Sequence, residues 1–544
     1  MRSRWIGVIF FVGFLLRVVG LPNHPAGFTP DEASFGYDAY SLLKTGKDQW
    51  GNAMPLVLKS FGDGKMPLYA YLAMPSVALF GLNEFSVRLP NALLGSLVVL
   101  VTYFLVREWR RNESEALLAA LLLAISPWHI PMSRGAFEAN LTTFLMPLGL
   151  LLFLKGLKNR KLLILSMVVF GLNMFSYHSA RLVTPIVLGV LVVSNWEKIE
   201  RKILPIGIFG VFLGLAGVTY LGGAGARVGS VSIFSLVGSA GEERYLAVMT
   251  GTPDMVARIF NNKLTKLVEL FGQNYLSYFS PNFLFTQGAR EGTYGMLPGR
   301  GVFFLIELPF LIAGIWVLVK EKIKNKRWHI IWIVMAPVPA ALAIGPGHAA
   351  NRAVIMLPAL QIILAMGGVY LINELIKRRK ELVWLIVFVF GVSFAFFLED
   401  YFIQQPAQKA ADMVYGPREV FGYLEEVKND YNGIIISKSI SEAHIYVAFY
   451  SRIDPKEYQS QAEKWGFEES GLVWVDQMPE YKLGEYTFKS IDRVFDLQRE
   501  NYLLAGRPDE FREDVNVKKI IYFPNKQVAY WIVKTEGEMY ARAE

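Results

Sequence analysis

The chain has 544 residues, of which 53% are hydrophobic, 14% aromatic and 19% charged, and its mean hydropathy is +0.32. This composition is too apolar for an ordinary soluble protein of this length and indicates a polytopic membrane protein. The lack of cysteine excludes disulfides and cysteine chemistry, and we attribute the net charge of +8 to basic cytoplasmic loops rather than to nucleic-acid binding. The first apolar stretch has a basic start like a signal peptide but no convincing cleavage site, so we expect it to be retained as a span.

About eleven stretches are apolar and long enough, or nearly so, to cross a bilayer core of ~30 Å as helices of ~17–25 residues. Several of them, notably the third to the sixth, are short. The predicted spans are 5–21, 89–106, 115–131, 139–155, 161–177, 182–197, 203–222, 302–319, 328–345, 353–373 and 382–398.

The connections between these spans alternate in charge. Every second connection is a basic cluster, as cytoplasmic loops are, whereas the others carry isolated basic residues. This predicts a cytoplasmic N-terminus, long external loops at 22–88 and 223–301, and an external C-terminus. The basic clusters are REWRR (107–111), KGLKNRK (155–161), EKIERK (197–202), KEKIKNKR (320–327) and IKRRKE (376–381).

The composition becomes soluble at about residue 401. GPREVFGYLEEVKND is typical of a helix, and NGIIIS, KKIIYF and VAYWIV are typical of strands. We therefore divide the chain into a membrane module, 1–400, and a small extracytoplasmic α/β domain, 401–544. In the second external loop, Leu264, Val268 and Phe271 recur at helical spacing, which predicts an amphipathic helix on the membrane surface.

The predicted topology collects the conspicuous polar residues on the external face. Ionisable groups at span ends around a common cavity are a functional hypothesis by default. Carboxylates there can act as a general base, and basic side chains can bind phosphate. Since the sequence has no GxxxxGK[ST] loop, the pattern favours group transfer from a lipid phosphate. The residues are Asp31, Glu32, Asp38, Asp63, Lys65, His129, Arg134, Glu138, Tyr177, His178, Arg181, His348, Asn351 and Arg352.

The order of several motifs resembles the GT-C glycosyltransferases, in particular the protein O-mannosyltransferase branch that includes the lipid A aminoarabinose transferase. That branch has an acidic pair in the first external loop, a K-x-P-L-Y-like motif, R-L-P at the second span and another acidic residue after the third. The lysine motif here has Met where many relatives have proline. The matching segments are TPDEASFGYDAYSLLKTG, GKMPLYAYL, FSVRLPNALLG, SRGAFEANL, SPNFLF and PGHAANR.

The resemblance implies an inverting glycosyltransferase that moves a hexose or pentose from a polyprenyl-phosphate donor to an acceptor hydroxyl on the outer face of the plasma (inner) membrane. Asp31 would be the general base, Glu32 its support, and Glu138 a ligand of acceptor or sugar. The acceptor would be a glycan, lipid or protein, and no metal is expected, although a divalent cation stays possible. The implied phosphate-binding residues are Lys65, Arg134, Tyr177, His178, Arg181, His348 and Arg352.

Other interpretations stay open. Asp31 and Glu32 could be merely solvated or could cap the helix that follows them, and Asp38 is interpreted as a surface residue of that helix. Arg88 could simply extend its charged end to the membrane surface from a span end, and we interpret His129 as a structural residue in the packed interior. For the whole chain, the alternatives are a polyprenyl-linked glycan ligase of the oligosaccharyltransferase type and a non-catalytic lipid-linked sugar carrier. A secondary transporter is disfavoured because the sequence shows no inverted repeat.

Overall fold

The computed structural model describes residues 4–62, 64–220, 232–344 and 348–537. Asp63, the ends of the seventh and ninth predicted spans and the start of the second predicted loop lie outside these ranges. The described α-helices are Trp5–Val18, Pro30–Thr45, Leu68–Phe80, Glu84–Arg110, Glu113–Ala124, His129–Met132, Leu141–Gly156, Arg160–Asn173, His178–Ser194, Ile203–Thr219, Ala240–Met249, Asp254–Phe260, Lys263–Ser277, Leu308–Lys320, Arg327–Met335, Val338–Ala341, Ala350–Ala353, Ala359–Arg378, Glu381–Glu399, Gln405–Lys409, Pro417–Val427, Ala443–Tyr450 and Pro455–Ala462.

Among the described residues, four helical segments are long and apolar enough to cross a membrane, by length and composition. They are Glu84–Arg110, Glu138–Gly156, Ala359–Arg378 and Glu381–Lys409. Several other predicted spans are shorter apolar helices. The predicted ninth span is divided where Pro337 and Pro339 follow helix Arg327–Met335, since proline removes a backbone donor and restricts the residue before it. The sequence analysis also missed helix Leu68–Phe80, which lies within the predicted external loop 22–88.

Helix Pro30–Thr45, hereafter the loop helix, begins with a capping box. Thr29 Oγ1 accepts from the Glu32 amide at 3.3 Å, and the Glu32 carboxylate accepts from the Thr29 amide at 3.1 Å. Pro30 at the first turn and Gly46 in the left-handed conformation (φ +72°) complete its ends. The predicted capping role of the acidic pair is therefore confirmed for Glu32. A short antiparallel pair, β1 (Leu58–Lys59) and β2 (Gly64–Lys65), then places Lys65 beside this helix.

The C-terminal region forms a six-stranded mixed sheet, so the predicted strands and helix of this region are confirmed. The strand order is β4-β5-β3-β6-β8-β7, with β3 parallel to both β5 and β6 and the remaining pairs antiparallel. In register, Ile434 lies opposite both Tyr486 and Leu503. The strands are β3 (Gly433–Ser437), β4 (Glu480–Leu483), β5 (Tyr486–Lys489), β6 (Glu500–Gly506), β7 (Asn516–Tyr522) and β8 (Val528–Glu536).

The C-terminal region, which contains this sheet, packs directly on the loop helix. Phe35 and Tyr37 share one buried apolar cluster with Phe449 of the domain. Tyr37 also donates to the carbonyl of Ile453 at 2.8 Å, and Tyr446 donates to the carbonyl of Phe28 at 2.6 Å. The domain therefore covers the same end of the molecule at which the acidic pair lies.

Candidate active site

A cavity of about 410 Å³, hereafter the polar cavity, lies where the loop helix, the 291–294 segment and the start of helix Ala350–Ala353 meet. It holds four carboxylates and two cationic side chains. Six of its residues belong to the set predicted to share one external site, although they come from distant parts of the sequence. The lining residues are Thr29, Pro30, Asp31, Ser60, Phe61, Lys65, Glu138, Tyr177, Glu291, Thr293, Tyr294, Asn351, Arg352, Asp412 and Val414.

The two members of the acidic pair lie in different environments. Asp31 lines the polar cavity, whereas the next residue on the helix is turned by ~100° and Glu32 is fully buried. Its carboxylate accepts two hydrogen bonds from Arg88, at 2.8 Å from Nε and 3.1 Å from Nη2, and a third from the Ala136 amide at 2.9 Å. Glu32 therefore ties the loop helix to helix Glu84–Arg110. The interpretation of Arg88 as a snorkelling residue is wrong, because its side chain is also fully buried.

Lys65 and Asp38 form a second ion pair. The Nζ atom of Lys65 lies 3.3 Å from Asp38 Oδ2, donates to Ser34 Oγ and sits over the ring of Phe35. The interpretation of Asp38 as a surface residue is wrong, since its side chain is fully buried. Burial raises the pKa of Asp38 to about 6, and Lys65 opposes that rise. Lys65 is 97% buried but lines the polar cavity, so its charge faces both Asp38 and any bound ligand.

The lining of the polar cavity also includes Glu138, Glu291 and Tyr294. Glu138 begins a short 3₁₀ turn before helix Leu141–Gly156, which places it after the third predicted span as expected. Burial raises the pKa of Glu291, and Arg352 opposes that rise. Burial, together with the nearby charge of Asp31, also raises the pKa of the Tyr294 phenol. Tyr294 thus stays a neutral hydrogen-bonding group among carboxylates at neutral pH.

Arg352 and Tyr177 lie between the polar cavity and a second, smaller space of about 250 Å³, hereafter the apolar groove. Both residues line both spaces. Arg352 Nη1 donates to the Ile344 carbonyl at 2.5 Å, which holds the guanidinium at the junction. The other lining residues of the groove are His178, Ser179, Leu182, Ser232, Phe234, Pro339, Ala340, Leu342 and Ala343.

Four predicted phosphate ligands do not line the polar cavity. Arg134 is fully buried and donates to the carbonyls of Leu16 and Val19, both at 2.7 Å. Arg181 donates to the Met174 carbonyl at 3.2 Å and to Thr219 Oγ1 at 2.9 Å. These arginines are occupied by backbone and hydroxyl acceptors, so their prediction as phosphate ligands is not supported by their position.

His348 is the third. It was expected to share a helix face with Arg352, but it precedes helix Ala350–Ala353, has a left-handed backbone (φ +72°) and packs its ring on Phe283. His178 is the fourth: it lines the apolar groove instead, and its Nε2 lies 3.1 Å from the Gly64 carbonyl beside Lys65. The structural assignment of His129 is confirmed: its ring is fully buried between Arg17 and Thr143.

The sequence analysis missed Glu291, Tyr294 and Asp412 as cavity residues. Glu291 and Tyr294 lie in the second predicted external loop, in the glycine-rich segment GAREGTYG, which carried no motif. Asp412 lies just beyond the predicted domain boundary, in AADMVYG. The available signal was positional, since both segments were predicted to lie on the external face.

Comparison with known proteins shows a partial match to one family model and a similar fold in solved structures. Residues 64–220 match the family described as dolichyl-phosphate-mannose-protein mannosyltransferase. The structure of ArnT from Cupriavidus metallidurans matches at a TM-score of 0.53 and 14% identity over 98% of both chains. The same protein bound to undecaprenyl phosphate matches at 0.52 and 14% over 98% of both chains.

Two further matches are more limited. An uncharacterised protein from Aquifex aeolicus is 27% identical over 139 residues, which is 26% of this chain. The chain spans about a quarter, 27%, of the length of that curated relative. The oligosaccharyltransferase of Archaeoglobus fulgidus matches at a TM-score of 0.47 and 14% identity, over 82% of this chain and 64% of its own. The predicted resemblance is therefore confirmed: the chain is an integral membrane protein with the fold of the GT-C glycosyltransferases.

Proposed function

We propose that this protein transfers a sugar from a polyprenyl-phosphate donor to an acceptor hydroxyl, in the polar cavity, on the outer face of the plasma (inner) membrane. The observation that carries the proposal is the junction of the polar cavity with the apolar groove at Tyr177 and Arg352. A ligand that fills both spaces must have a polar head and an apolar chain. A lipid-linked sugar has this chemistry, and the basic cytoplasmic loops favour an external position for the site.

The phosphate of the donor would lie near Arg352 and Lys65, the two cationic residues that line the polar cavity. A guanidinium can give a phosphate two parallel hydrogen bonds, and an ammonium adds a point charge. The negative charge on this phosphate grows as the sugar leaves it. Positive groups held in place there stabilise the transition state more than the ground state, which is the usual source of electrostatic catalysis.

Asp31 is the residue we assign as general base. It lines the polar cavity at the first turn of a helix that is anchored through Glu32 and through the C-terminal domain. In the proposed step, the acceptor hydroxyl transfers its proton to Asp31 and its oxygen bonds to the anomeric carbon. The bond from that carbon to the phosphate oxygen breaks, polyprenyl phosphate leaves with the electron pair, and the configuration inverts.

The remaining carboxylates suit the sugar rather than the phosphate. Glu138, Glu291 and Asp412 are acceptors for sugar hydroxyl groups, and their negative charge would repel a phosphate placed beside them. The donor would therefore lie with its phosphate at the junction and its sugar towards Glu138.

The test is transfer of radiolabel from polyprenyl-phosphate sugars to a membrane extract by the purified protein in detergent. We expect Asp31→Asn to lower the turnover by ~10²–10⁴-fold, the range for removal of a general base, while donor binding persists. Glu242→Gln, an exposed acidic residue outside the cavity lining, is the matched control and should retain wild-type turnover.

Other outcomes distinguish the alternatives. Equal label transfer by wild type and Asp31→Asn would remove Asp31 as the base. Donor binding without transfer for every sugar tested would favour a lipid-linked sugar carrier. Transfer from lipid-linked oligosaccharides alone would favour a glycan ligase.

A further inference from the structure

A compact group of potential metal ligands lies in the C-terminal domain, outside the polar cavity. Glu442, His444 and Asp476 each offer one ligand atom, and these atoms lie within 4.8 Å of one another. The Nδ1 atom of His444 is 4.0 Å from Glu442 Oε2, and the Glu442 amide donates to Asp476 Oδ2 at 2.7 Å. Two segments separated by over thirty residues thus converge on one point.

The two carboxylates of this group differ in their surroundings, because the charge of Lys438 acts on Asp476. Glu442 Oε2 is buried without a hydrogen-bond partner among the described residues, and no lysine or arginine among them forms an ion pair with this carboxylate. His444 is fully buried, and its Nε2 is likewise without a partner there. Burying a carboxylate without a positive partner is unfavourable by several kcal/mol or more. Such a site therefore favours either a bound proton or a bound cation.

The local hydrogen bonds leave ligand positions available. The Tyr481 hydroxyl donates to Asp476 Oδ1, so its proton is not given to His444 Nδ1, which lies 3.2 Å away. With its own proton on Nε2, His444 keeps an Nδ1 lone pair directed towards the carboxylates. Glu442 has a left-handed backbone (φ +54°), a conformation that non-glycine residues adopt rarely and often at functional sites.

We propose that Glu442, His444 and Asp476 bind a divalent transition-metal ion, with Zn²⁺ as the best match to one imidazole and two carboxylates. Magnesium and calcium prefer sites made of oxygen alone, whereas imidazole suits zinc and its neighbours. Three protein ligands leave at least one coordination position for water.

The position of the site suggests what the ion does. Phe61 lines the polar cavity, and the centroid of its ring lies 5.7 Å from the centroid of the His444 ring. Asp31 contributes to the electrostatic environment of Glu442. A bound ion would therefore fix the Glu442 turn against the edge of the polar cavity. This role goes beyond the proposed glycosyl transfer and does not require it.

The experiment uses the full chain without a histidine tag, treated with a chelator and dialysed against Zn²⁺ alone. We expect about one equivalent of bound zinc, a rise in the unfolding temperature on zinc addition, and a visible absorption band when Co²⁺ replaces it. Glu442→Gln and Asp476→Asn should weaken zinc binding by at least ~10-fold. Glu480→Gln, an exposed acidic residue on β4, is the control and should bind as the wild type does.

Two results would overturn the proposal. The first is a wild-type protein that binds no Zn²⁺ and shows no Co²⁺ band, which would leave a protonated carboxyl group as the occupant. The second is unchanged binding in both variants. Neither readout depends on sugar transfer, so a failure of the proposed enzymatic activity would not affect this test.

Discussion

The polar cavity and the ion pair behind it contrast two uses of charge on one helix. In the cavity, Asp31, Glu138 and Arg352 face an enclosed space that can accept a ligand. Behind the cavity wall, Glu32 and Arg88 are both fully buried and bonded to each other and to backbone groups. Residues that are adjacent in sequence therefore have separate tasks, since one faces the ligand space and the other holds the helix that carries it.

The Asp38–Lys65 pair lies between these two extremes. Seven residues after Asp31, Asp38 returns to nearly the same helix face about two turns, or ~10 Å, further along. It is buried like Glu32, but its partner Lys65 also lines the cavity. The acidic residues of the loop helix therefore cannot be assigned one common role from the sequence. The direction of each side chain decides whether it acts in catalysis, in positioning or in stability.

The largest expected effect is on stability, from breaking the Glu32–Arg88 pair. We expect Glu32→Gln to destabilise the fold by ~3–5 kcal/mol, because it leaves the Arg88 charge buried and uncompensated. The readout is the unfolding temperature of purified protein in detergent, together with its yield. Asp31→Asn, the neighbouring substitution, should leave the unfolding temperature close to that of the wild type.

This pair of variants tests whether Glu32 stabilises the fold while Asp31 acts in catalysis. If Glu32→Gln kept the wild-type unfolding temperature and lost only sugar transfer, Glu32 would act in catalysis as the sequence analysis predicted. If Asp31→Asn were as unstable as Glu32→Gln, the cavity carboxylate would be architectural instead.

A smaller effect is expected at the junction of the polar cavity and the apolar groove. Arg352→Gln removes a charge-assisted hydrogen-bond donor from the proposed phosphate position, a loss of about 1.5–3 kcal/mol. Affinity for polyprenyl phosphate, measured by binding to the detergent-solubilised protein, should fall by roughly ten- to a hundredfold. Arg352→Lys should recover part of it, because it restores the charge without the planar fork. Unchanged affinity in Arg352→Gln would move the phosphate elsewhere.

Local rules predicted the loop helix, its cap and the strands of the C-terminal domain, because capping residues and apolar periodicity act over a few positions. They could not assign Glu32. Its partner Arg88 lies 56 positions away on another helix. Asp38 looked like a surface residue for the same reason, since its partner Lys65 is distant in sequence.

The external location of the site was predicted from charge alternation and motif order, and it correctly grouped Asp31, Lys65, Glu138, Tyr177 and Arg352 at one cavity. The predicted position of His348 differs from the structure for a local reason. The prediction assumed a helix through 348–352, whereas the helix begins at Ala350. Glu291 was missed because a glycine-rich loop has no periodicity from which the direction of its side chains could be predicted.

The next expected effect is a pH dependence from Asp38. Because its pKa is about 6 in the fold and near ~3.9 when unfolded, the folded state binds this proton more tightly. Its contribution therefore favours folding at low pH and declines as the pH rises from about 4 to about 6, by on the order of 1–2 kcal/mol. The measurement is the difference in unfolding temperature between wild type and Asp38→Asn across this range. A difference that changed in the opposite direction would mean that the Lys65 charge outweighs burial.

The smallest expected effect is at Arg181. Comparing it with Arg352 separates the effect of an arginine's position from the effect of its charge. Arg181→Gln and Arg352→Gln remove the same group and the same charge, but only Arg352 lines the polar cavity. Arg181 instead donates to the Met174 carbonyl and to Thr219. We expect Arg181→Gln to change polyprenyl-phosphate affinity by no more than about twofold, as substitutions remote from a site usually do. Equal losses in the two variants would mean that net positive charge on this face, rather than the junction geometry, binds the phosphate.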